Sequence, residues 1–131
     1  MKVNLIVLAI CFLYVGCAHK NQEVKLQDSK RGFYHNVYFW LKSDITEAQK
    51  TDFMEGLNSM KAIESIIDYE VGVPAGTPRD VVDNSYDVAL ITSFADSEGH
   101  DAYQVHPIHD AFREIAGPMI DSLRIYDSVM E

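Results

Sequence analysis

Apolar and polar positions along the chain change period several times, and each change marks an element. His35 to Leu41 is aromatic and β-branched with apolar residues on both alternating faces, which predicts a strand covered on both sides. Thr46 followed three places later by Gln49 has the form of a capping box, and Phe53, Leu57, Met60 and Ile63 then recur at helical spacing. A helix from Thr46 to Ile63 follows. Ile66 to Val73 alternates as a second strand, ended by Gly72 and by Pro74-Ala75-Gly76-Thr77-Pro78, with a loop running on to Ser85. Tyr86 to Ala95 is the clearest strand, and Asp96-Ser97 can cap a short helix through Tyr103. A second helical stretch opens at Pro107, a residue well tolerated where its missing N–H had no partner. Phe112, Ile115, Met119 and Ile120 suit a buried stripe there, which Gly117-Pro118 should kink or interrupt. Leu123 to Val129 alternates as a last strand.

The order strand, helix, strand, strand, helix, strand predicts an α+β fold with a ferredoxin-like, mainly antiparallel sheet and helices on one face. Such a sheet has a second face. Tyr38 and Trp40 occupy one side of the first strand, and Val37, Phe39 and Leu41 the other, so both sides seek burial. A homodimer with sheets packed face to face is the economical answer.

Residues 1–17 stand apart from this pattern. A charged start at Lys2, an apolar run from Val3 to Val15 and then Gly16-Cys17 read as a processing signal. The run is about 13 residues long, short of the roughly 20 a helix needs to span a bilayer. A small residue directly before a cysteine resembles the bacterial lipobox, so residues 1–17 are read as a signal peptide with acylation at Cys17. Residues 18–32 are polar and of mixed charge and are read as a flexible tether. Residues 33–131 then form one domain, with enough chain for a single core and no thiol for a disulfide. The expected location is the cell envelope, on the periplasmic side. Ala18 in place of an aspartate after the cysteine points to the outer membrane.

Charge narrows the partners. With Lys2 removed, ten Lys and Arg face twenty Asp and Glu, which opposes nucleic-acid binding through phosphate contacts. Docking on anionic lipid by charge is disfavoured too, leaving the membrane contact to the lipid anchor.

The candidate chemistry lies in Tyr103-Gln104-Val105-His106-Pro107-Ile108-His109, with His35 at the start of the first strand. Each residue also has a purely structural reading, as a helix cap or a packed ring. A metal could draw on His106 and His109 with His35 or Asp101, but no strong ligand motif is present, and neither metal nor cofactor is expected. His109, near the positive end of a helix, would be held neutral and could take a proton. Tyr103 could hydrogen-bond an oxygen that gains charge.

The strand from His35 to Lys42, the strand from Tyr86 to Phe94, the Tyr103-x-x-His106-Pro107-x-His109 segment and the final Tyr126-Asp127 strand together resemble the stress-responsive dimeric α/β-barrel (Dabb) family. The resemblance implies a ferredoxin-like dimer whose two sheets make a dimeric α/β-barrel. The family includes a plant olivetolic acid cyclase, whose catalytic tyrosine and histidine match Tyr103 and His109. By position, His35, Val37, Phe39, Phe53, Leu57, His106, Leu123 and Ile125 would line a ligand pocket. Three functions are then expected in order: a barrel holding a small apolar or aromatic molecule, a lyase or cyclase with His109 as general base and Tyr103 as orienting acid, or a structural envelope protein without ligand.

Overall fold

The computed structural model of the protein describes residues 32–131. The segment read as a signal peptide, Cys17 and positions 18–31 of the expected tether lie outside the described residues, while Gly32, expected to end the tether, is hydrogen-bonded to Phe94 and Met130. Four strands, β1 (Phe33–Leu41), β2 (Ile66–Gly72), β3 (Val88–Phe94) and β4 (Ile120–Val129), form one sheet in the order β2-β3-β1-β4. All three pairings are antiparallel. Helices α1 (Glu47–Ser59), α2 (Ser97–Gln104) and α3 (Pro107–Ala116) complete the ferredoxin-like architecture.

Local chemistry sets each helix start. Thr46 Oγ1 accepts from the Gln49 N–H and the Gln49 side chain accepts from the Thr46 N–H, closing the capping box of α1. Asp96 caps α2 by accepting from the Gly99 N–H at 2.9 Å. His106 caps α3, its Nδ1 accepting from the Ile108 N–H at 3.2 Å. One face of the sheet packs on the helices through Val37, Phe39, Val88, Leu90 and Phe94, which meet Phe53, Leu57, Met60 and Phe112 in the core. Phe39, Phe53 and Phe112 meet edge to face with centroids 5.4 to 6.2 Å apart.

Several boundaries differ from the pattern-based expectation: β1 starts at Phe33 instead of His35, and α1 stops at Ser59, before a 3-10 turn at Met60–Ala62, instead of running to Ile63. Helix α3 stops at Ala116, Gly117–Met119 forms a 3-10 turn and Ile120 already belongs to β4, so the expected helical stripe dissolves after Phe112. Met119 is buried from the turn, while Ile115 is largely exposed. The cause is pairing: Ile120 aligns with Leu41 across a register shift between Trp40 and Leu41, which lengthens β4 at its start. In the other direction, β3 begins at Val88 rather than Tyr86. Asp87 donates its N–H to the Phe39 carbonyl at 2.8 Å and accepts the Leu41 N–H on its carboxylate at 2.7 Å, ending the ladder with a side chain.

The opposite face of the sheet is aromatic. Tyr38 contacts both Tyr86 and Tyr126 edge to face, and Trp40 donates from Nε1 to Ser85 Oγ at 3.1 Å. Tyr126 is largely exposed there.

Candidate functional site

Strand β4 is an edge strand, and the helices leave its inner face partly bare. Leu123 and Ile125, cross-strand partners of Phe39 and Val37, are 39% and 48% exposed. A cavity of about 350 Å³ opens between this face and α3, near the lower end of ligand-pocket sizes. Its wall is apolar, from Val37, Phe39, Leu90, Phe112, Leu123 and Ile125, with polar groups supplied by His35, Tyr103, Gln104, His109 and Arg113.

The C-terminal end of α2 and the first turn of α3 bring Tyr103 and His109 together. Their rings lie 4.3 Å apart between centroids with planes inclined by 32°. His109 Nδ1 donates to the Gln104 carbonyl at 3.2 Å, and since a carbonyl can only accept, Nε2 carries the lone pair. Burial holds the His109 pKa below its ordinary value; the Gln104 carbonyl opposes that shift and the Arg113 charge adds to it. Burial also pushes the Tyr103 hydroxyl up to about 12, so it remains a donor at any ordinary pH. Its nearest partner is the Met60 thioether at 3.8 Å, a weak acceptor. A base and a donor thus share one wall.

Arg113 organises this wall. Its guanidinium donates to the Gln104 carbonyl at 3.1 Å, to Gln104 Oε1 at 2.7 Å and to Asp110 at 3.0 Å, tying α3 back to the end of α2. Lying four residues after His109, it shares that helix face. The sequence reading missed it, although the i,i+4 spacing from His109 was a usable signal.

His35 is buried under α2. Its Nδ1 donates to the Asp127 carboxylate at 2.6 Å, from directly across the β1–β4 ladder. Desolvation lowers the His35 pKa, and the Asp127 contact works against it. His100 stacks on Phe33 at 4.5 Å and lies 4.8 Å from the His35 ring.

Not every residue expected in the pocket reaches it. His35, Val37, Phe39, Leu123 and Ile125 line the cavity, as do Tyr103 and His109. Phe53 and Leu57 are fully buried on α1, where they fill the core between helices and sheet and do not line the cavity wall. His106 faces away: as the α3 cap it spends Nδ1 on the backbone, and its Nε2 lies 3.6 Å from the exposed Glu64 carboxylate.

A four-stranded antiparallel sheet with helices on one face and a lateral cavity at the edge strand defines a ferredoxin-like α+β domain. The chain belongs to the stress responsive A/B barrel domain (Dabb) family, which residues 33–130 match. A dimeric ferredoxin-like protein of unknown function from Thermobifida fusca is 25% identical, with a TM-score of 0.65, covering 76% of this chain and 92% of that one. A Dabb family protein with a ferredoxin-like fold from Mesorhizobium loti is 22% identical, with a TM-score of 0.63, over 77% of this chain and 98% of the other. The fold is also similar to that of the hydroxynitrile lyase from Passiflora edulis, at 13% identity and a TM-score of 0.67, covering 78% of this chain and 95% of the enzyme. No curated protein sequence matches the chain.

Proposed function

We propose that the domain binds a small apolar or aromatic molecule in the cavity between α3 and β4, as a homodimer held at the cell envelope by a lipid on Cys17. The observation that carries the binding reading is the cavity itself: about 350 Å³ of mainly apolar wall with a few convergent polar groups, the composition expected of a small-molecule site. The aromatic outer face supports the dimer. The Thermobifida fusca and Bacteroides fragilis neighbours are both described as dimeric. The lipid anchor rests on Gly16-Cys17 at the end of the apolar leader.

Native mass spectrometry of the full chain purified from its own host tests the binding reading. A co-purifying small molecule, or a raised melting temperature with small aromatic compounds, is expected. Failure of every compound in a broad apolar library to bind would overturn it. Sedimentation of the same preparation in detergent should give a dimer, and metabolic labelling with a fatty acid should be lost in Cys17→Ser.

A second reading is favoured by one specific observation, the tautomer that Gln104 imposes on His109. With its lone pair on Nε2 and its pKa lowered, His109 suits proton abstraction beside a carbonyl, and the Tyr103 hydroxyl can hydrogen-bond the oxygen that becomes negative. The structural likeness to a hydroxynitrile lyase makes lyase chemistry on a carbonyl compound the class to screen. If turnover is found and survives in both His109→Ala and Tyr103→Phe, the catalytic reading fails.

A further inference from the structure

We propose that His35, His100 and Asp127 form a binding site for a first-row divalent cation of the zinc type. The three come from separate elements, β1, α2 and β4, and each offers one ligand atom, with all three atoms within 4.8 Å of one another. Around a four-coordinate zinc, bonds of about 2.0–2.1 Å put ligand atoms roughly 3.3 Å apart. One edge of the triangle, His35 to Asp127, is already shorter than that at 2.6 Å. An ion seated there opens that edge by under 1 Å and draws in the other two, which are at most 4.8 Å long.

The placement of each ligand follows from the fold. His35 and Asp127 are register partners on neighbouring strands, so the ladder itself sets them side by side. Thr92 Oγ1 donates to the His35 carbonyl at 2.8 Å and fixes the backbone below the ring. The His100 ring stacks on Phe33, and its Nε2 accepts from the Gln104 amide at 3.0 Å, Arg113 holding Gln104 Oε1, so ligation through Nε2 exchanges that hydrogen bond for the metal. The Asp127 side chain is 44% exposed, against 3% for His35. An ion therefore has a route in from solvent and a buried imidazole to hold it.

Two imidazoles and a carboxylate suit zinc and its neighbours better than calcium or magnesium, which favour all-oxygen shells. The ion takes the place of the proton that His35 now donates to Asp127. With three protein ligands a fourth position stays open to water or to a ligand oxygen. Of the three ligands, His35 also lines the cavity. The metal site stands on its own geometry and does not require the cavity to be occupied.

Isothermal titration of the chelator-treated full chain with Zn²⁺ tests it, with Mg²⁺ as the contrast. One Zn²⁺ per chain is expected, with no comparable uptake of Mg²⁺. Asp127→Asn and His100→Ala should each weaken binding by at least about tenfold, the loss that even outer partners of metal ligands cause, while circular dichroism confirms an unchanged fold. Co²⁺ in place of Zn²⁺ should give the visible absorption of a tetrahedral ion in the wild type and lose it in both variants. Absence of Zn²⁺ binding overturns the proposal. So does equal affinity in both variants, which would put the ion elsewhere in the chain.

Discussion

The Gln104 carbonyl accepts from His109 Nδ1 at 3.2 Å and from the Arg113 guanidinium at 3.1 Å, so one backbone oxygen sets both the tautomer of the imidazole and the packing of α3 on α2. Neutral His109 and protonated Tyr103 stack against each other beside an apolar cavity. The Tyr103 hydroxyl meets only a thioether, at 3.8 Å. Tyr103→Phe should therefore leave the urea midpoint nearly unchanged, within about 1 kcal/mol, while weakening any ligand or substrate whose oxygen depends on that donor. A large loss of stability would show that the hydroxyl serves the fold.

His109 predicts a pH dependence with a definite sign. Its folded pKa lies below the ordinary value of 6.5 because burial penalises the imidazolium. Between the two values the unfolded chain binds more protons than the folded one, so stability rises with pH in that window. The contribution is complete above 6.5, declines as the pH falls below it, and levels off once the folded pKa is passed. Urea denaturation of wild type and His109→Gln at pH 8 and pH 5 isolates the effect. The wild type should lose more stability than the variant on acidification, and equal losses would contradict the assignment.

What could be read from the sequence divides by range. The capping box of Thr46 and Gln49, the Asp96 cap and the break at Gly117-Pro118 are local, and each stands where the pattern put it. The start of β4 was not legible, because Ile120 joins the sheet through pairing with Leu41, far away in sequence. The site divides in the same way. Tyr103 and His109 share one short segment and were visible together. The contact between His35 and Asp127 spans 92 positions and depends on strand register, as does the approach of His100 to both. Phe53 and Leu57 lie in the core and not on the cavity wall, a distinction helical spacing does not carry, because it reveals that a side chain is buried without revealing which surface it meets.

Leu123 offers a way to separate cavity from fold. It sits on edge strand β4, lines the cavity and is 39% exposed. A larger side chain there can grow into open space without displacing packed neighbours. Leu123→Trp should keep the melting temperature of the unliganded protein or raise it slightly, and should abolish ligand-induced stabilisation. Retained binding in a folded Leu123→Trp variant would move the ligand site away from this cavity.

Gly32 is the sharpest steric constraint where the described chain begins. A Cβ added there would stand 2.3 Å from the carbonyl oxygen of Ala95, a backbone atom with no rotamer to yield. Neither segment can simply move apart. Gly32 donates its N–H to the Phe94 carbonyl at 3.2 Å and accepts from the Met130 N–H at 3.0 Å, so it joins the ends of β3 and β4 beside β1. Gly32→Ala should accordingly cost about 1–3 kcal/mol through overpacking, read as a lower urea midpoint at unchanged slope. Gly72, at the end of β2, has nothing within 4 Å of an added Cβ. Gly72→Ala should stay within about 0.5 kcal/mol of wild type, and a comparable loss in the two variants would show that the Gly32 contact is not the cause.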